Sequence, residues 1–399
     1  MEENNNKKYF QIKGANAEKI VHELATKSFL VDWCFLNPIL PNGKELCDIL
    51  VLFDDIAIIR QIKDLKLKNG KYNTSEVEKN LKQLSGARRQ LFNLKTKIKL
   101  TNSRRNVEDF DFSTIKHIYL ISALLGDGED AFSFVEEIKK KTVHVFTREF
   151  TEIVLNELDT ITDFVKYLED KECFLNDKNL SLNIQGGEQE LLAYYLMNNG
   201  DFSKISHNNK IVILDGCWDG LINKPEYKLK KLEDEISYGW DDIINRTHMG
   251  SINYEVVARE LARPSRSERR FLSKAFLDAH ISAHENKNPK INSLRRMIPS
   301  DGVTYCFLFN DDPEPRNNRK AMLSAICWVA RGLYPENKKV IGIATEMKIM
   351  PTCSYDFVSM DLPELTDDNK EYIKNLQETF SIFINPTIKE AYEDEYPQK

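Results

Sequence analysis

The chain has 399 residues, 41% of them hydrophobic and 30% charged, which is enough apolar material for a sizeable core and enough length for two domains. Its start, MEENNNKKYF, is polar, and no later apolar run approaches the roughly 20 residues of a membrane span, so a globular cytoplasmic protein with no membrane partner is expected. The net charge of −6 disfavours a nucleic-acid partner on average, but residues 60–105 hold fourteen Lys and Arg against Asp64, Glu76 and Glu78, a net of +11 that leaves −17 for the remainder.

AEKIVHELATKSF (17–29) carries Ile20, Val21, Leu24 and Ala25 on one stripe, which predicts an amphipathic helix. KELCDILVLFDDIAIIRQIKDLK (44–66) follows, with two short apolar runs on either side of Asp54-Asp55 that predict the strands of a hairpin. Ser75 before Glu76 caps a long helix, which Val77, Leu81, Leu84, Ala87, Leu91 and Leu94 carry to about Leu100. Strands are expected at 115–125 and 142–146, helices at 149–172 and 187–198, and a strand at 211–214. After Gly250 come helices at 254–261 and 267–284. Strands at 304–310, 340–346 and 355–361 follow, with a helix at 316–331 between the first two, a βαβ-like order. The expected class is α/β: a mixed sheet flanked by helices over 1–175, a helical or irregular linking region over 176–250, and a second α/β domain over 251–399.

The hairpin holds the least comfortable residues. With Asp54-Asp55 at a two-residue tip, paired residue numbers sum to 109, so Asp48 lies opposite Gln61. Side chains alternate along a strand, so Lys63 shares the face of Gln61, and three polar groups converge within roughly 5 to 8 Å. Asp-Asp lacks the glycine that such turns favour, and a bulge would shift the register by one. A carboxylate and an amide oxygen are hard ligands suited to Mg²⁺, or to Mn²⁺ in its place, and an ammonium beside them orients the attacking water and stabilises charge on a phosphate. The structural alternative is a buried Asp48–Lys63 ion pair with Gln61 as its hydrogen-bonding partner.

Asp48 followed by Gln61-Ile62-Lys63 resembles the signature of the PD-(D/E)XK phosphodiesterase superfamily, an acid on one strand and a [D/E/Q]-x-K triplet on the next; the Gln form is similar to that of Mrr-like restriction endonucleases. The resemblance covers about 20–170 and implies a restriction-endonuclease-like mixed sheet. It also implies Asp48 as central metal ligand, Gln61 as second ligand or water-holder, the Ile62 carbonyl as a further ligand and Lys63 as the catalytic lysine. Two looser matches are Glu23, similar to the acid that an N-terminal helix contributes to such metal sites, and Gln83, similar to a polar residue aimed at the site or the phosphate. On the same helix, Lys82, Arg88 and Arg89 are placed to hold a nucleic-acid backbone.

No phosphate-binding loop, dinucleotide fingerprint, nucleophile elbow or HExxH occurs in the sequence. The cysteines (34, 47, 173, 217, 306, 327 and 353) are odd in number with no CxxC, and are expected to be reduced and mostly buried. His280 and His284 are spaced i, i+4 without a third ligand, ARPSRSERR (262–270) and Arg295-Arg296 are basic, and NDDPEPRNNRK (310–320) joins a strand to a helix. The expected function is a Mg²⁺-dependent nuclease hydrolysing DNA, in a layout that fits bacterial restriction or anti-phage defence. RNA would use the same site, and a protein partner or second copy is expected at the C-terminal domain. The alternative is a non-catalytic nucleic-acid-binding or regulatory protein on a degenerate nuclease scaffold.

Overall fold

The structure, a computed structural model, describes residues 19–65, 69–93, 97–126, 134–177, 180–203, 211–250, 254–286, 293–300, 302–310, 316–349 and 353–396. The chain divides into two compact units, 1–228 and 229–399. Residues 176–250, expected to link two domains, are therefore shared between them.

The first unit opens with α1 (residues 19–29), whose buried Val21, Ala25, Ser28 and Phe29 recur at helical spacing. Strands β1 (Cys34–Leu36), β2 (Ile49–Phe53) and β3 (Ile56–Lys63) form an antiparallel meander. Helix α2 (Thr74–Asn93) and the small antiparallel pair β4 (Ile98–Leu100) and β5 (Glu108–Phe110) lead to β6 (His117–Leu124), which pairs parallel with β3. Strands β7 (Val135–Glu137) and β8 (Thr142–Thr147) complete a six-stranded mixed sheet of order β1-β2-β3-β6-β8-β7.

Alternation assigns the faces of this sheet. Leu50, Leu52, Ala57, Ile59, Leu120 and Leu124 pack against Val77, Leu81, Leu84, Ala87 and Leu91 of α2. The opposite face meets α1, α3 (Arg148–Glu157) and α4 (Ile161–Leu175), with Phe146 edge-on to Phe150 and Phe164, and Phe29 edge-on to Phe164 at 5.1 Å. Beyond α4, the parallel strands β9 (Ser181–Ile184) and β10 (Ile211–Leu214) flank α5 (Glu188–Met197), followed by α6 (Cys217–Ile222); the division between the units falls within the next helix, α7 (Pro225–Asp234).

In the second unit, α8 (Tyr238–Gly250), α9 (Glu255–Ala262) and α10 (Arg266–His284) precede a four-stranded sheet of order β11-β12-β13-β14. Its strands are β11 (Ser293–Ser300), β12 (Val303–Asn310), β13 (Lys339–Glu346) and β14 (Asp356–Asp361). The expected βαβ unit is present: β12 and β13 are parallel and joined by α11 (Arg316–Leu333), and α12 (Asp367–Phe380) follows. Both units are mixed α/β.

Several expectations are corrected in detail. The long helix ends at Asn93 instead of near Leu100, because Ile98 and Leu100 alternate with Lys97 and Lys99 at the two-residue period of β4. The helix expected over 149–172 is two helices, broken where Thr160 turns extended and accepts from the Asp163 N–H to cap α4. ARPSRSERR is not a surface run: Arg266 and Arg269 are buried on Asp241, and Arg270 on Asp234 and Glu393. His284 accepts from the Ile349 N–H, and His280 stacks on Phe309 at 5.0 Å. Residues 311–315 of the strand-to-helix loop lie outside the described residues, whereas Arg316 and Arg319 pair with Asp356.

The end of β3 is held close to the segment after β6. The Leu125 N–H donates to the Lys63 carbonyl at 2.8 Å, and a Cβ on Gly126 would lie 2.2 Å from the Leu65 carbonyl oxygen. Gly126→Ala is therefore expected to lower unfolding free energy by about 2 kcal/mol or more. Gly86→Ala, within α2 and with nothing inside 4 Å of the added carbon, should raise it by up to about 1 kcal/mol. Urea midpoints of the two variants, measured side by side, check both signs.

Candidate active site

No bulge intervenes at the hairpin tip. Asp54 itself adopts the left-handed φ of 52°, and the ladder runs unbroken from Phe53–Ile56 to Ile49–Arg60, pairs that sum to 109. The Asp55 carbonyl accepts from the N–H groups of Lys116 and His117, and its carboxylate pairs with Lys116 at 3.2 Å, tying the tip to the start of β6. Continuation of this register brings Asp48 opposite Gln61, on the α2 face.

The side chains meet there. Gln61 Nε2 donates to Asp48 Oδ2 at 2.7 Å, and the Ile62 N–H donates to the same oxygen. Asp48 is 5% exposed and Gln61 9%, so these bonds satisfy a carboxylate held largely out of water. The bonding fixes the amide: its NH₂ faces Asp48, and Oε1 takes no hydrogen bond from a described residue. Lys63, half-buried at the end of β3 and on the same face, has no hydrogen-bonding or ion-pairing partner for its ammonium among the described residues. The buried Asp48–Lys63 pair that would have made the cluster purely structural is not formed.

Other anticipated residues stand apart. Glu23 is exposed on α1 and pairs with Lys19 at 3.7 Å. The inner stripe Val21–Ala25 leaves the residue midway between them pointing outward, and α1 packs on the sheet face away from α2, so Glu23 is not brought to Asp48. On α2, Gln83 and Arg89 are exposed, Arg88 is half-buried, and exposed Lys82 pairs with Glu78 at 3.3 Å. The basic block is not one surface. Arg60 is buried on the opposite face of β3, Arg104 pairs with Asp32 and Arg105 with Glu108, and Lys66, Lys68 and Lys95 lie outside the described residues.

Sequence reasoning missed two residues. Ser122, the register partner of Gln61 on β6, extends the polar row across the sheet, and Asn80, fully buried on α2, donates to Ser122 Oγ at 3.1 Å. Asn80 falls within the apolar stripe between Val77 and Leu84, and a buried amide on the inner face of a helix was the available signal.

Among the described residues, no three or more His, Cys, Asp or Glu side chains are grouped as a metal site. The donor set present is one carboxylate, one amide oxygen and a backbone carbonyl, which suits a hard divalent cation that shares its shell with water and substrate phosphate. Asp48 and the Ile62 carbonyl would hold it, and Gln61 would join them through Oε1, which in this structure is turned away from Asp48. Behind the strand, burial lowers the Arg60 guanidinium to about 10, with its terminal nitrogens unpaired and its carbon 5.9 Å from the Phe164 ring. Burial likewise drives the Cys47 thiol, next to Asp48, well above the usual thiol range.

His144 on β8 carries a pH signature. Burial, with Lys171 adding to it, lowers the imidazole to about 4, although Glu172 lies 3.0 Å away. The folded state keeps it neutral while the unfolded chain binds a proton near 6.5, so its contribution is intact above that pH and is lost as pH falls toward 4. His144→Phe should flatten the fall of melting temperature between pH 6.5 and 4 relative to wild type, as calorimetry at a pH series will show.

No family model, no curated protein and no solved structure matches the chain.

Proposed function

We propose that the first unit is a divalent-metal-dependent nuclease that hydrolyses phosphodiester bonds in DNA. The observation that carries this reading is the Lys63 ammonium, unpaired among the described residues, on the face where Asp48 holds the Gln61 amide with its oxygen turned away. A cation left unpaired beside a carboxylate–amide cluster is suited to the anionic charge that develops on a phosphate under attack. The topology supports it as well: an antiparallel meander presents the acid and the Q-x-K triplet on adjacent strands, and a helical crossover leads to a parallel fourth strand, as the resemblance to the PD-(D/E)XK superfamily implies. A divalent cation would supply Lewis acidity and a deprotonated water at neutral pH. Asp48 fixes Gln61 and contributes the negative charge of the site, Lys63 faces the phosphate, and Arg88 and Arg89 on α2 are the candidates for backbone contacts. A role in restriction or anti-phage defence fits such an activity.

The near-complete burial of Asp48 and Gln61 favours the second reading, a non-catalytic nucleic-acid-binding protein on the same scaffold. Cleavage of linear and plasmid DNA with Mg²⁺ or Mn²⁺ separates the two. Lys63→Ala removes a group without a partner among the described residues, so stability should stay within about 0.5 kcal/mol of wild type while the cleavage rate falls about a hundredfold or more. Asp48→Asn, which keeps an acceptor for the Ile62 N–H, should abolish cleavage. Asp48→Ala is the poorer probe, because it leaves two buried donors unpaired and should cost about 2 kcal/mol or more. Protein that binds DNA but never cuts it with either metal would leave only the binding reading; an RNA arm of the same assay assigns the substrate.

A further inference from the structure

Asn80 and Ser122 form the second half of a polar row whose first half is Asp48–Gln61. We infer that the two are positioning residues for Gln61: Asn80 orients the Ser122 hydroxyl, and that hydroxyl, through a bridging water, holds the Gln61 amide oxygen in place. This deepens the nuclease reading and rests on it.

Register and direction carry the argument. Ser122 and Gln61 are partners across the parallel β3–β6 pair, so their side chains share a face at a spacing of about 4.8 Å. Asn80 Nδ2 donates to Ser122 Oγ, which spends an acceptor position and turns the hydroxyl proton away from α2. No described residue is recorded as accepting that proton, and the polar neighbour on its face is Gln61. The Gln61 amide is turned so that its NH₂ bonds Asp48, which presents Oε1 as the acceptor still open. Donation then runs in one direction, from Asn80 to Ser122, through the water to Gln61, and on to Asp48, a series in which each bond polarises the next.

A second observation is that Asn80 is poorly suited to a structural post. It is fully buried among Val77, Leu81, Leu84 and Ala87, and its Oδ1 has no hydrogen-bond partner among the described residues. An acceptor left unpaired in this interior costs about 1 to 3 kcal/mol. An apolar side chain of similar size would pack there without that penalty, so the amide has a use other than packing.

The full chain carrying Asn80→Leu, Ser122→Ala or Ser122→Thr tests this against wild type, with Mn²⁺ affinity by titration calorimetry, melting temperature, and kcat and KM on linear duplex DNA. Asn80→Leu is expected to melt no lower than wild type, yet to bind Mn²⁺ about tenfold more weakly and lose about tenfold in kcat with KM for DNA unchanged. Ser122→Ala should reproduce the loss, and Ser122→Thr, which keeps the hydroxyl, should recover most of it. Wild-type Mn²⁺ affinity and kcat in Asn80→Leu, or in Ser122→Ala should the leucine variant not fold, overturns the positioning role and leaves the nuclease reading standing. A wild-type protein that neither binds Mn²⁺ nor cleaves would instead overturn the nuclease reading, and this inference with it.

Discussion

The register of the β2–β3 hairpin is the constraint on which the candidate site depends. Asp54 accepts a left-handed conformation at the tip, and Asp55 is pinned by two N–H groups and the ammonium of the β6 entry, so no extra residue enters the turn. A slip of one residue would turn Gln61 and Lys63 toward α4 and bring Arg60 to the α2 face. Because side chains alternate along this unbroken ladder, the short turn decides together which residues meet Asp48 and which are committed to the core behind it.

The two faces of β3 show how that commitment is shared out. Arg60 enters the aromatic layer around Phe164, where its charge is desolvated and its terminal nitrogens are unpaired. Gln61, one residue on, completes the hydrogen bonding of a buried carboxylate. Lys63 reaches the strand end, where burial is only partial, and its ammonium meets no partner among the described residues. One strand therefore carries polar residues for opposite reasons, and the basic density of the surrounding sequence is a poor guide to surface potential because several of its members are consumed by Asp32, Glu78, Glu108 or the core.

Where local periodicity was unambiguous, the sequence was legible: the hairpin and its register, the strands β6, β8, β12 and β13, and the crossover α11 all follow from it. What it hid were elements whose polar residues look like surface. Strand β11 contains Arg295 and Arg296, whose guanidiniums bond carbonyls of Phe380 and Ala275, and α10 opens with three arginines that pair with buried aspartates from distant parts of the chain. Such partners are set by tertiary structure, so a window of sequence cannot assign them. The same holds at the site. Cross-strand arithmetic reached Asp48 and Gln61, whereas Ser122 and Asn80 enter through a parallel pairing and a helix crossing, both separated from the hairpin by long stretches of chain.

That position 61 is a glutamine and not an acid has a physical consequence. A glutamate at this position would bring a second carboxylate within hydrogen-bonding distance of Asp48, in a place nearly closed to water, and like charges so close raise one another's proton affinity unless a cation lies between them. An amide does the opposite: its NH₂ donates to Asp48, so the carboxylate stays satisfied with no metal present, while its oxygen remains a neutral hard ligand. With one negative charge where a glutamate would give two, the cluster would, under the proposed nuclease reading, hold a cation more weakly by itself and draw more of the coordination from substrate phosphate. Under that reading, metal affinity and substrate binding would be coupled, so that the site would be complete only with its substrate in place.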